Sequence, residues 1–289
     1  NLTTGKFRWV SQLVLAYNKN KITKLNQPAP ITTGAQKASA AYLAGHPAYA
    51  VFAYDFVGLD DMGDPLIRLQ SGKVTKARNE ALPEDVVYMG TYQPVWNGGL
   101  SNVFLYGNFE LAVNMVYNFG NVMRRDVLEF YAGNGLVPMH SNNALQSGDL
   151  RFRSGNVHAE FAQRWRQPGD ELTTNVPSWE PVKSVNDSRR DTRYYTQGDI
   201  NVISAAFVKL RDASLSYQLP RTLIKRAGME SIRLRVQVSN VMLWKANKFG
   251  IDPEFHDATG GSTSGQVGGG IRYLRANQGA LTLGLNIRF

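Results

Sequence analysis

Along one stretch of the chain Phe109, Leu111, Val113, Met115, Tyr117 and Phe119 alternate with Glu110, Ala112, Asn114, Val116 and Asn118. A period of two puts successive side chains on opposite faces of an extended strand, so this stretch predicts a strand with one apolar and one largely polar face. Ile232, Leu234, Val236 and Val238 alternate in the same way with Arg233, Arg235, Gln237 and Ser239. The terminal run repeats it: Leu281, Leu283, Leu285, Ile287 and Phe289 are separated by Thr282, Gly284, Asn286 and Arg288. Weaker alternation over 7–17, 48–57, 65–70, 100–106 and 204–218 brings the expected strands to about eight, with no convincing helix pattern between them.

Alternation alone leaves a soluble β-sandwich open, because its apolar face points into a core. The connections discriminate better. Gly107-Asn108 is a two-residue hairpin signal. A connection rich in Gly, Asn, Asp and Pro then runs from about 120 to 201, followed by a short link near 219–230 and a long one over 245–278. Further long segments are expected near 18–47 and 71–98. Short turns at one end and long segments at the other are the pattern of a transmembrane antiparallel β-barrel, and all-β barrel is the fold class expected.

The strand directions that follow put Tyr106, Phe109, Tyr217 and Phe289 at one level and Tyr17, Tyr117, Phe119 and Trp244 at the other, as two aromatic girdles. Ten steps of about 3.3 Å from Phe109 to Phe119, tilted by about 45°, give roughly 23 Å of height, against an apolar band of about 25 Å. Leu281, Leu283, Leu285, Ile287 and Phe289 are then expected to face lipid. Glu110, Asn114, Asp212, Arg233, Arg235, Gln237 and Arg288 are expected to line a watery lumen.

Composition narrows the class. The chain has 289 residues, 43% of them hydrophobic and 19% charged, enough apolar content for a folded core. No run approaches the roughly 18 apolar residues of a membrane-spanning helix. With no cysteine, disulfides and thiolate metal sites are excluded. A net charge of +9 permits anionic partners, but no nucleic-acid recognition motif accompanies it. Arg189, Arg190 and Arg193 read as a solvated cluster in a polar loop, with a lipid-headgroup or partner contact as the alternative. Beginning at Asn1, without the basic start and apolar core of a signal peptide, the sequence is expected to be a processed chain or a fragment.

The run FVKLRDASLSYQLPRTLIKRAGMESIRLRVQVSNVMLWKANKFGIDPEF, 207–255, resembles the C-terminal region of SusC/RagA-type TonB-dependent outer-membrane transporters. The resemblance rests on Leu215 to Pro220, Asn240, Leu243-Trp244 and Gly250 to Glu254, and extends through YNKNKITKL at 17–25, GLDDMGDPLI at 58–67 and RWRQPGDELTTNVP at 164–177. It implies import of a large nutrient, an oligosaccharide or a peptide, through a plugged barrel of roughly 22 strands. It also implies a SusD-like surface lipoprotein as lid, an inner-membrane TonB-type energy-coupling protein, and insertion machinery that reads the closing strand. No plug domain and no coupling box are found, so the chain resembles the last third of such a barrel.

Candidate chemistry is sparse. His46, His140, His158 and His256 are far apart and have no metal-ligand spacing. Asp60, Asp61 and Asp64 in LDDMGDP lack the closing acid of a calcium loop and read as a turn. GGSTSGQVGGG at 260–270 lacks the lysine of a phosphate loop. No metal or cofactor is therefore expected. Trp165, Arg166, Trp179, Tyr194 and Tyr195 bring rings and charge to the longest connection and are the candidates for ligand or lid contact. Three readings compete with the transporter segment: a self-contained eight-stranded porin or adhesin, an outer-membrane hydrolase using one of the four histidines, and a soluble β-sandwich binding module.

Overall fold

The computed structural model describes residues 1–26, 30–125, 127, 159–179, 188–225, 228–254 and 279–289. Among these described residues the strands are β1 Leu2–Thr4, β2 Phe7–Tyr17, β3 Ala50–Leu59, β4 Pro65–Arg68, β5 Val74–Thr75, β6 Val86–Thr91, β7 Trp96–Tyr106, β8 Phe109–Phe119, β9 Val122–Arg124, β10 Val202–Ser204, β11 Phe207–Gln218, β12 Ser231–Lys245 and β13 Ala280–Arg288. Helices are short: α1 Gly34–Ala38, α2 Arg193–Thr196 and α3 Arg221–Ile224. The all-β expectation holds, and among the described residues no helix is long and apolar enough to cross a membrane.

Seven strands form one antiparallel meander in the order β1-β2-β7-β8-β11-β12-β13. Its registers put residues of one character on one face. The row Trp9–Phe104–Leu111–Leu215–Val236–Leu283 lies on one side, and Gln12–Ser101–Asn114–Asp212–Ser239–Ala280 on the other. The apolar side is uncovered: Leu13 is 65% exposed, Leu283 74%, and every residue of β13 is exposed. A sandwich would cover this face with a second sheet; here its apolar side chains meet the surroundings directly, as lipid-facing residues do.

The turn at Gly107-Asn108 has φ +57° at Gly107 and no positive φ at Asn108, the sign pattern of a type II′ hairpin, whose first position favours glycine. That turn, the 219–230 link and the ends Phe7 and Arg288 lie at one end of the meander. The long segments 18–95, 120–206 and 246–279 all leave from the other end.

The described residues of those segments build a second body. β3 to β6 make a four-stranded sheet in the order β5-β4-β3-β6, and β9 pairs with β10. The strands expected over 48–57 and 65–70 therefore lie in this outer domain rather than in the wall. Five consecutive residues of β3, Ala50 to Tyr54, are buried. Phe52 and Tyr54 pack on one side with Ile67, Val86 and Tyr194, while Val51 packs on the other with Tyr92, Met123, Ala205 and Ile251. A strand covered on both faces loses the polar alternate that marks a half-exposed one.

Candidate functional site

The wall carries two aromatic rows on its apolar side. Tyr17 meets Trp96 in a tilted pair with centroids 4.5 Å apart, and Phe119 approaches Trp244 at 6.1 Å. Towards the opposite end Phe109 meets Tyr217 at 4.5 Å and Trp9 stacks on Phe104 at 5.9 Å.

On the polar side, the strand registers align Glu110, Asn114, Asp212, Arg233, Arg235, Gln237 and Arg288 on one face. The Asn114 amide donates to Asp212 at 3.0 Å, and Arg288 pairs with Glu230 at 3.0 Å. Glu110 and Arg233 share a small cleft near the hairpin with Ser216 and Gln218.

Higher on the wall, Lys209 is fully buried. Its Nζ reaches Asp252 at 3.2 Å and Glu254 at 2.6 Å, and Glu254 also pairs with Arg211, the residue left out of the ladder with β8. These acids belong to the Gly250–Glu254 motif and lie 43 to 45 residues from their partner, so nothing in the local sequence pattern joined them. Burial alone would raise the Glu254 carboxyl, but the two cations outweigh it and hold it below the ordinary range.

The outer domain is tied by a second ion cluster. Asp64, with no exposed surface, faces Lys76 at 3.0 Å, Arg189 at 2.9 Å and Arg190 at 3.1 Å. Asp60 accepts the backbone N–H groups of Met62 at 3.0 Å and Asp64 at 2.8 Å, the bonds of an Asx turn. Burial would raise Asp60, yet Lys76 and those N–H groups keep it lowered. With Asp60 and Asp64 turned onto cations, LDDMGDP is a structural turn. Among the described residues no group of three His, Cys, Asp or Glu could hold a metal. The expected solvated arginine cluster is corrected by the same contacts: Arg190 is buried on Asp64 and Ser178, and Arg193 pairs with Asp191 at 2.6 Å.

Of the contact candidates, Tyr194 and Tyr195 are corrected to core residues, 0% and 2% exposed. Tyr194 meets Tyr54 edge-on at 5.0 Å and donates its hydroxyl to the Ala77 carbonyl at 2.8 Å; burial pushes that hydroxyl up to about 12. A side chain sealed this way has no surface for a ligand. Trp179 packs against Val127, Phe161, Val176 and Tyr195. Trp165 is half-buried against Gly63, whose φ of +73° and lack of a Cβ admit the indole: a Cβ there would lie 2.6 Å from the ring.

Arg166 alone of the five is exposed, and it lines a cleft of about 530 Å³ with Gln163, Arg164, Gln167, Asp170, Thr173 and Thr174. Sequence reasoning missed Gln163, Arg164, Gln167, Thr173 and Thr174, although all but Gln163 stood in the quoted RWRQPGDELTTNVP run. His46 packs on Phe52 and Tyr88, with its imidazole held down by burial and by Lys37 and Lys21. His140, His158, His256 and the 260–270 glycine run lie outside the described residues.

This arrangement defines a class: an outward-apolar, inward-polar antiparallel wall carrying an outer domain, the architecture of a transmembrane β-barrel. No protein-family model matches the chain. Among curated proteins it is similar to "TonB-dependent receptor P3" of Formosa agariphila, 21% identical over 315 residues, covering 100% of this chain and 27% of that one. Its fold matches the "RagAB peptide transporter" with TM-score 0.63 and 17% identity, covering 100% of this chain and 28% of that one. The RagAB peptide importer in its "open-open" state gives 0.61 and 16%, over 99% and 27%. The particular resemblance is therefore to SusC/RagA-type TonB-dependent transporters, and the chain spans under a third of the length of the proteins it matches.

Proposed function

We propose that this chain is part of a TonB-dependent transporter in a Gram-negative-type outer membrane, importing a large oligomeric nutrient, peptide or oligosaccharide. It performs no bond chemistry. A SusD-like surface lipoprotein closes over its outer domain, and a TonB-type coupling protein acts through a region of the longer polypeptide. The outer-membrane insertion machinery reads Leu281, Leu283, Leu285, Ile287 and Phe289, whose exposed side rests in lipid.

The observation that carries this reading is the uncovered apolar face of a meander whose first and last strands, β1 and β13, are unpaired with each other. An open sheet in hydrocarbon leaves backbone donors and acceptors unsatisfied at both edges, so the wall needs further strands to close. That favours a segment of a larger barrel over a self-contained eight-stranded one. The large outer domain at the long-loop end favours capture of a bulky ligand.

Deletion of the whole gene tests it. Cells are expected to lose uptake of oligomeric nutrient while growing normally on its monomers, and the protein is expected in the outer-membrane fraction. Normal uptake, or a soluble protein, would overturn the proposal.

A further inference from the structure

The cleft in the outer domain is built by the segment Gln163 to Ser178, which bonds mostly to itself. The Asp170 carboxylate accepts the backbone N–H groups of Arg166 at 2.9 Å and Gln167 at 3.2 Å, while its carbonyl accepts those of Thr173 and Thr174, both at 2.9 Å. Glu171 turns inward to the Trp165 indole N–H at 2.9 Å and the Gly169 N–H at 2.8 Å. The segment is pinned to the LDDMGDP turn by the Trp165 ring on Gly63 and by the Ser178 N–H to the Gly63 carbonyl at 2.9 Å. It is therefore a braced platform for the side chains it presents.

Its electrostatics are lopsided. Asp170 and Glu171 are engaged by the loop's own donors. The two guanidinium groups each use one donor on a backbone carbonyl, Arg164 on Phe161 at 3.3 Å and Arg166 on Ala162 at 2.7 Å. Arg164 also lies over the Phe161 ring, 4.5 Å from its centroid. A guanidinium has five N–H donors, so both arginines are held in place with donors to spare. Around them stand two carboxamides, Gln163 and Gln167, and two hydroxyls, Thr173 and Thr174. Among the described residues that line it the cleft has no aromatic floor on which a sugar ring could stack, because Trp165 is turned onto Gly63.

We infer that this cleft binds the carboxylates of an acidic oligopeptide, with Arg164 and Arg166 taking side-chain or C-terminal carboxylates and Gln163, Gln167 and the threonines meeting the peptide backbone. Bidentate arginine–carboxylate pairing supplies charge selection, and carboxamides supply both a donor and an acceptor for each peptide unit. As a statement about cargo, this rests on the import reading. As a statement about binding, it stands by itself.

The test uses the full-length polypeptide in detergent and two C-terminally amidated nonapeptides carrying an uncharged fluorophore, one rich in Asp and Glu, the other with Asn and Gln in their place. Fluorescence anisotropy is expected to show tighter binding of the acidic peptide, and R164Q/R166Q to weaken it at least about tenfold while leaving the neutral peptide unchanged. Salt at 0.5 M is expected to weaken the acidic peptide selectively in the unmutated protein. Equal affinities for the two peptides, an unchanged acidic affinity in the double variant, or an equal loss for both peptides would overturn the inference. So would an oligouronate that binds more tightly than the acidic peptide and depends on the same arginines. Uptake of the neutral peptide by cells carrying the double variant reports on import separately, so the two readings fail independently.

Discussion

The Tyr117 hydroxyl donates to the Val14 carbonyl oxygen at 2.7 Å, reaching from β8 across β7 to β2. It passes over Gly98, where any Cβ would collide with both the Val14 oxygen and the Tyr117 hydroxyl. Three strands of the wall are thus pinned on the apolar side by one aromatic residue and one missing side chain. Tyr117→Phe is expected to lower wall stability by about 1 kcal/mol, the net worth of one hydrogen bond. Gly98→Val is expected to cost more, about 1–3 kcal/mol, because it overpacks the crossing. Denaturation of the full-length protein in detergent, followed by heat-modifiable gel migration, checks both; a valine variant as stable as the parent would refute the crossing.

Asp64 is surrounded by Lys76, Arg189 and Arg190 with no exposed surface of its own. Removing Asp64 takes from the buried Arg190 and from Arg189 the carboxylate they share, while Lys76 keeps Asp60. Asp64→Ala is expected to destabilise the outer domain by about 3–5 kcal/mol. Limited proteolysis should open the outer domain while the wall stays protected. Uniform protection would count against a locking role.

The bonds from Lys209 and Arg211 to Glu254 make the anchoring of 246–254 depend on pH. Glu254 has a lower pKa folded than unfolded. Its contribution is therefore complete above the unfolded carboxylate range, near 4.5, and is lost as pH falls through the lower folded value. Hydrogen exchange in 246–254 is expected to quicken on acidification below that range relative to the intrinsic rate, and Glu254→Gln should remove the pH dependence. A Gln variant with the parent's pH profile would argue against it.

Leu283 and Val113 share the apolar side of the wall with Leu215, whereas Asn114 lies on the other. Spin labels at Leu283 and Val113 are expected to be relaxed by a lipid-soluble quencher, and one at Asn114 by a water-soluble quencher. Leu283→Arg is expected to cost about 2–4 kcal/mol if it lies near the bilayer midplane, and to reduce the assembled protein in the outer membrane. Water-soluble quenching at Leu283 would sink the lipid assignment.

Much of the wall was legible in the chain itself. Strict alternation at 109–119, 231–238 and 281–289 specifies strand, face and register together, because a slip of one residue would turn every apolar side chain to the wrong side. Loop lengths then gave direction, so the membrane-spanning part needed no long-range information. The outer domain did not work that way. Ala50 to Tyr54 look like another half-exposed strand until sheet neighbours cover both faces, and Tyr194 looks like a binding residue until Tyr54 and the Ala77 carbonyl enclose it. Likewise Arg190 reads as a solvated charge until the chain returns Asp64 to it from 126 positions away. Alternation is written between neighbours along the chain. Burial of a charge or a ring depends on partners brought together only by the fold, and so the outer domain's core, its ion cluster and its cleft were decided by tertiary structure.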